Sequence, residues 1–194
     1  MKKRVFIILS FMTVLFAREL SIGEAMPKVN IPIQNVNGET FTLKKLMDKN
    51  GLLVIFSCNT CPWVIRWQDR YNPIAELCSE NNIGFVAVNS NARQHNGVDS
   101  YTAMQEHAQE YNYRFPYVMD KRAELAKAFG AKKTPHVYLF NKDNKLVYRG
   151  AIDDNSENAE NVKTSYLVNA VNAVAIGEEI KVKRTKALGC SIKF

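Results

Sequence analysis

The chain has 194 residues, of which 46% are hydrophobic and 23% are charged. This composition is typical of a globular domain with its own hydrophobic core and excludes a disordered chain. The net charge is +7, but the basic residues are scattered among acidic ones, and the nearest approach to a basic cluster, at residues 181–186, lacks interleaved aromatic residues. A solvated surface is therefore favoured over a nucleic-acid interface.

The N-terminus has the pattern of a secretory signal. Lys2, Lys3 and Arg4 precede an apolar run over residues 5–17, and small residues follow at Gly23 and Ala25. The pattern predicts a signal peptide over residues 1–25 and a mature domain over residues 26–194, with export to a bacterial periplasm. An uncleaved N-terminal anchor is the alternative, although the apolar run is shorter than the ~20 residues of a membrane span.

From residue 31 onward, strand-like and helix-like segments alternate along the chain. Strands are predicted over residues 31–36, 52–56, 83–89, 115–119, 136–140 and 146–149. Helices are predicted over residues 41–47, 61–79, 98–111, 123–129 and 162–176, and Pro73 should kink or divide the second of them. The tail over residues 178–194 has no clear periodicity. The alternation predicts one α/β domain with a mainly parallel central sheet and a closing antiparallel hairpin.

Two of the four cysteines, Cys58 and Cys61, are separated by two residues where a buried strand should pass into a helix. A helix N-terminus stabilises a thiolate, so this spacing favours redox chemistry. We expect Cys58 to be the more exposed sulfur and to attack a substrate, and Cys61 to resolve the mixed disulfide. A structural disulfide or half of a zinc site is the alternative, but a zinc site would need a second such pair or paired histidines. Neither a cofactor nor a metal is expected.

Thr134-Pro135 lies about 75 residues further on, directly before a predicted strand. With the cysteine pair, this dipeptide resembles the thioredoxin superfamily. The resemblance implies a three-layer thioredoxin-like fold with a central mixed sheet and helices on both faces. It also implies that Pro135 is cis and lies beside Cys58, and that the Thr134 backbone pairs with a substrate peptide. Trp63, in the helix after the cysteines, is a candidate for the rim of that substrate site.

A narrower resemblance rests on the segments at residues 56–62, 115–117, 134–135, 148–154 and 189–193. Together they look like a redoxin-type subgroup of the alkyl hydroperoxide reductase/thiol-specific antioxidant branch. Thioredoxin has a buried aspartate that accepts a proton from its resolving thiol, and Leu52 stands at that position here. The resemblance therefore implies that the usual base is absent. Counted back from Cys58, Ile55 and Gly51 stand where peroxiredoxins have a hydroxyl residue and a proline, which argues against efficient peroxidase activity.

Two further residues are candidates for auxiliary roles. Cys190 either exchanges a disulfide with the active pair or is a packed thiol of the tail, and His136 either tunes Cys58 or is an ordinary strand residue. Cys78 is expected to be a core residue.

The sequence therefore predicts an exported thiol–disulfide oxidoreductase that acts on protein or small-molecule thiols and disulfides and has an upstream redox partner. A thiol-dependent peroxidase is one alternative. A Cu(I) chaperone that binds copper through Cys58, Cys61 and His136 is the other.

Overall fold

The computed structural model describes residues 18–194, so the basic start and the apolar run of the predicted leader lie outside the described residues. The strands are β1 (Ile33–Asn35), β2 (Thr40–Phe41), β3 (Gly51–Ser57), β4 (Ile83–Asn89), β5 (Tyr117–Met119), β6 (Lys133–Thr134), β7 (His136–Asn141), β8 (Leu146–Gly150) and β9 (Cys190–Ser191). The helices are α1 (Leu43–Leu46), α2 (Pro62–Glu80), α3 (Tyr101–Glu110), α4 (Glu124–Phe129) and α5 (Tyr166–Ile176).

A seven-stranded mixed sheet in the order β2-β1-β5-β4-β3-β7-β8 forms the centre of the fold. Strand β3 lies inside this sheet, parallel to β4 and antiparallel to β7. All of its residues are buried, as the continuous apolar run predicts for a strand covered on both faces. The chain leaves β3 at Ser57 and enters α2 at Pro62, so the cysteine pair lies at the carboxyl end of a central strand.

Helices cover both faces of the sheet. One apolar cluster contains residues of α2, α3 and α5, including Trp67, Met104 and Leu167. The other contains residues of α1 and α4, including Leu43 and Phe129. This three-layer arrangement around a mixed sheet confirms the predicted fold class. The expectation of a mainly parallel sheet is wrong, because only β3–β4 and β4–β5 pair in parallel while the other neighbouring strands are antiparallel.

Helix α2 runs as one element through Pro73, so the expected division of this helix did not occur. A proline inside a helix removes one backbone hydrogen bond. The cost is offset by burial, because Tyr71, Ile74 and Cys78 pack against the sheet on either side of the proline. Helix α4 ends as predicted at Gly130, which adopts a left-handed conformation with φ of 67°.

Residues 18–25, which the sequence assigns to the leader, pack on the domain. The Leu20 N–H donates to the Phe129 carbonyl at 3.0 Å, and the Gly23 N–H donates to the Leu146 carbonyl at 2.7 Å. The packed region therefore begins before residue 26, while cleavage after Ala25 stays a prediction. In the part of the chain that the structure describes, no helix is both long and apolar enough to cross a membrane.

Gly84 lies in β4 where the backbone of Leu46 passes closest to the sheet. A Cβ atom at this position would overlap the Leu46 carbonyl oxygen and the Leu52 side chain. We predict that Gly84→Ala lowers the free energy of unfolding by about 1–3 kcal/mol, the usual cost of forcing an extra atom into a packed site.

Gly97 provides the matched control, because an added Cβ there finds its nearest neighbour only at 3.8 Å. Gly97→Ala should change stability by less than about 0.5 kcal/mol. Urea unfolding of the two variants measures both values, and equal midpoints for both would contradict the packing described here.

Candidate active site

Three of the four cysteines meet at the start of helix α2. Cys58 lies in the loop after β3, Cys61 is the N-cap residue of α2, and Cys190 arrives from the C-terminal tail on β9. All four cysteines are unbonded thiols or thiolates in this structure. Cys78 is fully buried in the core.

The environment of Cys61 favours its thiolate. The neighbouring Cys58 thiol lowers the pKa of Cys61 most, and Cys190 and the backbone N–H of Val64 lower it further. The Val64 N–H belongs to the first turn of α2, where amide groups have no partner inside the helix. Together these groups lower the pKa of Cys61 well below that of a free thiol against the opposing effect of burial.

Cys58 has the opposite environment. The neighbouring Cys61 raises the pKa of the Cys58 thiol most, and burial and the nearby negative charge of Asp99 raise it further. The hydroxyl of Thr134, 3.4 Å from the Cys58 sulfur, acts weakly in the other direction.

The expectation that Cys58 is the more exposed sulfur is wrong. Cys58 is 2% exposed and Cys61 is 4% exposed, so both are buried. The physical reason is that Thr134 and Asp99 enclose the loop before α2: the Thr134 hydroxyl lies 3.4 Å from the Cys58 sulfur, and Asp99 accepts the backbone N–H of the next residue, Asn59. Cys61, in contrast, caps the helix.

A buried polar network holds the loop between the two cysteines. The Asp99 carboxylate accepts hydrogen bonds of 2.8 Å from the Asn59 backbone N–H and from the side-chain amides of Asn89 and Asn91. The Asn59 side chain in turn accepts a hydrogen bond from the Tyr117 hydroxyl at 2.8 Å. Asp99 was not identified from the sequence as part of the site. The available signal was the polar run at residues 89–91, which begins at the end of the buried strand β4 and indicates a polar partner nearby.

The Thr134-Pro135 peptide bond is cis, as the resemblance implies. The Thr134 carbonyl oxygen lies 3.1 Å from the Cys61 sulfur and accepts its proton when Cys61 is a thiol. The backbone of Thr134, which we expected to pair with a substrate peptide, pairs instead with Cys190 in a short antiparallel ladder. The chain's own tail thus occupies that position.

Trp63 is half-buried in the first turn of α2, and the Arg66 guanidinium lies 5.2 Å from its ring centroid. Burial raises the pKa of Cys190, and the backbone N–H of Trp63 acts in the opposite direction. Asp153, which follows β8, also anchors helix α2. Its buried carboxylate accepts hydrogen bonds from the Trp67 indole at 2.8 Å and from the Arg70 guanidinium at 3.3 Å.

His136 lies on the other face of the sheet from the cysteines. Its ring packs at a tilt against that of Tyr138, with ring centroids 4.6 Å apart, and Tyr138 belongs to the apolar cluster that does not contain Cys58 and Cys61. His136 is 1% exposed, and burial lowers its pKa to about 4, so its ring is neutral at physiological pH. The predicted copper-binding set is therefore not assembled, and among residues 18–194 no group of three or more His, Cys, Asp or Glu side chains is arranged to hold a metal ion.

A cysteine pair at a helix start, a cis-proline beside it and a central mixed sheet define a protein of the thioredoxin-like fold. Residues 21–165 match the Redoxin family model, which is more than half of the chain. The chain belongs to the Redoxin family.

The comparisons with individual proteins agree with this assignment. An uncharacterized conserved protein from Geobacillus kaustophilus is 33% identical over 90% of this chain and 92% of that one, with a TM-score of 0.82. A thioredoxin-like protein solved in its oxidized form is 22% identical over 82% of this chain and 100% of that one, with a TM-score of 0.64, and shows the shared fold.

A curated relative is the thiol-disulfide oxidoreductase ResA of Halalkalibacterium halodurans. It is 25% identical to this chain over 119 residues. The match spans 61% of this chain and 63% of the relative's length.

We predict that the reduced protein has one thiol that ionises far below pH 8.5, the usual value for a free cysteine. A pH titration of the ultraviolet absorbance of thiolates measures this. The low-pH step should disappear in Cys61→Ala, because that variant lacks the sulfur that the helix stabilises. Cys78→Ala is the control and should retain the step, since burial raises the pKa of Cys78 to about 12. Thiolate absorbance that develops only above pH 8 would contradict the described site.

Proposed function

We propose that the protein is an exported thiol–disulfide oxidoreductase whose redox pair is Cys58 and Cys61, with Cys61 as the attacking thiolate. The observation that carries this proposal is the placement of both sulfurs beside Thr134 at the start of α2: the Thr134 hydroxyl lies 3.4 Å from the Cys58 sulfur, and the Thr134 carbonyl oxygen lies 3.1 Å from the Cys61 sulfur. One sulfur is poised to attack, and the other is close enough to complete the disulfide.

The exchange follows from the two pKa shifts. The Cys61 thiolate attacks one sulfur of a partner disulfide, and the other partner sulfur leaves with the electron pair. Cys58 then loses its proton and attacks the Cys61 sulfur, which forms the Cys58–Cys61 disulfide and releases the second partner thiol. The low pKa of Cys61 also makes it a good leaving group in the reverse direction.

The name of the ResA relative supports this reaction type, and the leader-like N-terminus supports an oxidising compartment where disulfides form and persist. The partners that fit this chemistry are thiols and disulfides of proteins or small molecules, together with a redox partner that restores the pair.

A peroxidase function has less support. Counted back from Cys61, the places of the peroxiredoxin hydroxyl residue and proline hold Cys58 and Val54. Val54 lies inside strand β3, and neither residue is the type that the motif requires. The peroxiredoxin motif is therefore absent whether its positions are counted back from Cys58 or from Cys61.

We predict that Cys61→Ala lowers the rate of disulfide exchange by at least about 100-fold, because the variant loses the attacking sulfur. Reduction of insulin disulfides and exchange with glutathione disulfide both measure this rate. Cys78→Ala is the matched control and should retain the wild-type rate, since Cys78 is a core residue of α2.

Hydrogen peroxide consumption is measured in parallel on the same samples. Peroxide turnover much faster than disulfide exchange would favour the peroxidase function over the proposed oxidoreductase function. Undiminished exchange in Cys61→Ala would show that Cys61 is not the attacking sulfur.

A further inference from the structure

The C-terminal tail is fastened beside the cysteine pair over several consecutive residues. Strand β9 pairs with β6 so that Cys190 lies opposite Thr134 and Ser191 opposite Lys133. The Ile192 N–H donates to the Lys132 carbonyl at 3.0 Å, and the Ile192 side chain is buried in the core.

Two further hydrogen bonds extend this attachment past the strand. The Lys193 N–H donates to the Asn91 side-chain oxygen at 2.9 Å, and the Arg93 N–H donates to the Lys193 carbonyl at 3.0 Å. Asn91 also donates to Asp99, so the tail is tied to the network that holds the loop between Cys58 and Cys61.

Gly189 sets how closely the tail approaches. A Cβ atom on Gly189 would overlap the Thr134 carbonyl oxygen, the same atom that lies 3.1 Å from the Cys61 sulfur. The absence of a side chain at this position therefore brings the following residue, Cys190, against the redox pair.

The Cys190 sulfur is the outermost of the three at this site. Cys58 and Cys61 are buried, whereas Cys190 is half-buried. Cys190 pairs with Thr134, whose carbonyl oxygen lies 3.1 Å from the Cys61 sulfur and whose hydroxyl lies 3.4 Å from the Cys58 sulfur, and Cys190 is close enough to lower the pKa of Cys61. With the tail docked, a partner therefore meets Cys190 before it reaches either buried cysteine.

Resting on the function proposed above, we infer that Cys190 is a third redox thiol, which carries disulfide exchange between solvent-side partners and the buried pair through a Cys61–Cys190 disulfide. The tail is then part of the catalytic path. Cys190 takes the bond to the partner that the direct exchange described above gives to Cys61, and exchange passes from the partner to Cys190, to Cys61 and to Cys58.

The steps balance when the oxidised pair accepts electrons from a thiol partner. The Cys190 thiolate attacks the Cys61 sulfur, the Cys58–Cys61 bond breaks, and Cys58 leaves with the electron pair and takes up a proton. A partner thiolate attacks the Cys190 sulfur, the Cys61–Cys190 bond breaks, and Cys61 leaves as the stabilised thiolate.

A second partner thiolate then attacks the partner sulfur bonded to Cys190. This step releases a partner disulfide and the Cys190 thiolate, which takes up a proton. Two partner thiols are oxidised to one disulfide, and the Cys58–Cys61 disulfide is reduced. One of the two partner protons stays on the protein and the other enters solvent, because Cys61 remains ionised. The same bonds in reverse order reduce a partner disulfide.

The test is the rate at which the oxidised full-length protein is reduced by glutathione, with acid quenching, alkylation of free thiols and mass mapping of bonded cysteines. In the wild type we expect a glutathione adduct on Cys190 and a Cys61–Cys190 disulfide among the quenched species. These species need no variant, so they remain diagnostic whatever the substitutions do to folding.

Cys190→Ala should slow the reduction at least about 10-fold, and its neighbour on the same strand provides the matched control. Ser191 is exposed, so Ser191→Ala should leave the rate unchanged. Gly189→Ala keeps all three thiols but forces the tail away from Thr134, so it should also slow the reduction.

A tail that only covers the pair gives the opposite result. If Cys190→Ala or Gly189→Ala exchanges as fast as the wild type or faster, or if adducts form only on Cys58 and Cys61, the relay is overturned. Loss of exchange in Cys61→Ala with an unaffected Cys190→Ala would overturn the relay and leave the proposed function standing. Full exchange in Cys61→Ala would overturn the proposed function itself.

Discussion

The first turn of helix α2 lies beside the cysteine sulfurs, and the chemistry of the molecule depends on this contact. The Val64 N–H lowers the pKa of Cys61 and the Trp63 N–H lowers that of Cys190, so the positive end of one helix acts on two sulfurs. Burial alone would raise the pKa of each thiol. The helix and the neighbouring thiols reverse that effect for Cys61 only, and this asymmetry separates an attacking sulfur from one that keeps its proton.

The fold maintains this contact from three directions. Strand β3 delivers the cysteine loop from the centre of the sheet, where it is covered on both faces. The Asp99 network fixes the loop from the side of β4, and the cis peptide before Pro135 places Thr134 against both sulfurs. Asp153 anchors α2 further along through Trp67 and Arg70. Because these supports come from distant parts of the chain, the site forms only when the whole domain is folded.

Much of this arrangement is readable from local sequence. The apolar run of β3 and the short cysteine spacing mark the strand–helix junction, and Gly130 marks the end of α4, because each signal depends on neighbouring residues. The resemblance to the thioredoxin superfamily added the cis-proline, which local pattern alone does not reveal.

The errors and omissions concern long-range contacts. The assignment of the more exposed sulfur failed because the residues that enclose the Cys58 loop, including Thr134 and Asp99, come from distant parts of the chain. Strand β9 has two residues and no alternation, so its pairing with β6 leaves no trace in sequence. His136 was proposed as a neighbour of Cys58, but alternation along β7 turns its ring to the opposite face of the sheet.

The most direct test is a residue-resolved pH titration by NMR, with 13C at the cysteine Cβ atoms of the reduced protein. We predict that the Cβ resonance of Cys61 titrates far below pH 8.5, while that of Cys58 shows a protonated thiol throughout the neutral range. A low-pH transition at Cys58 with Cys61 still protonated, or an ordinary thiol pKa at both residues, would contradict the claim that α2 ionises the second sulfur of the pair.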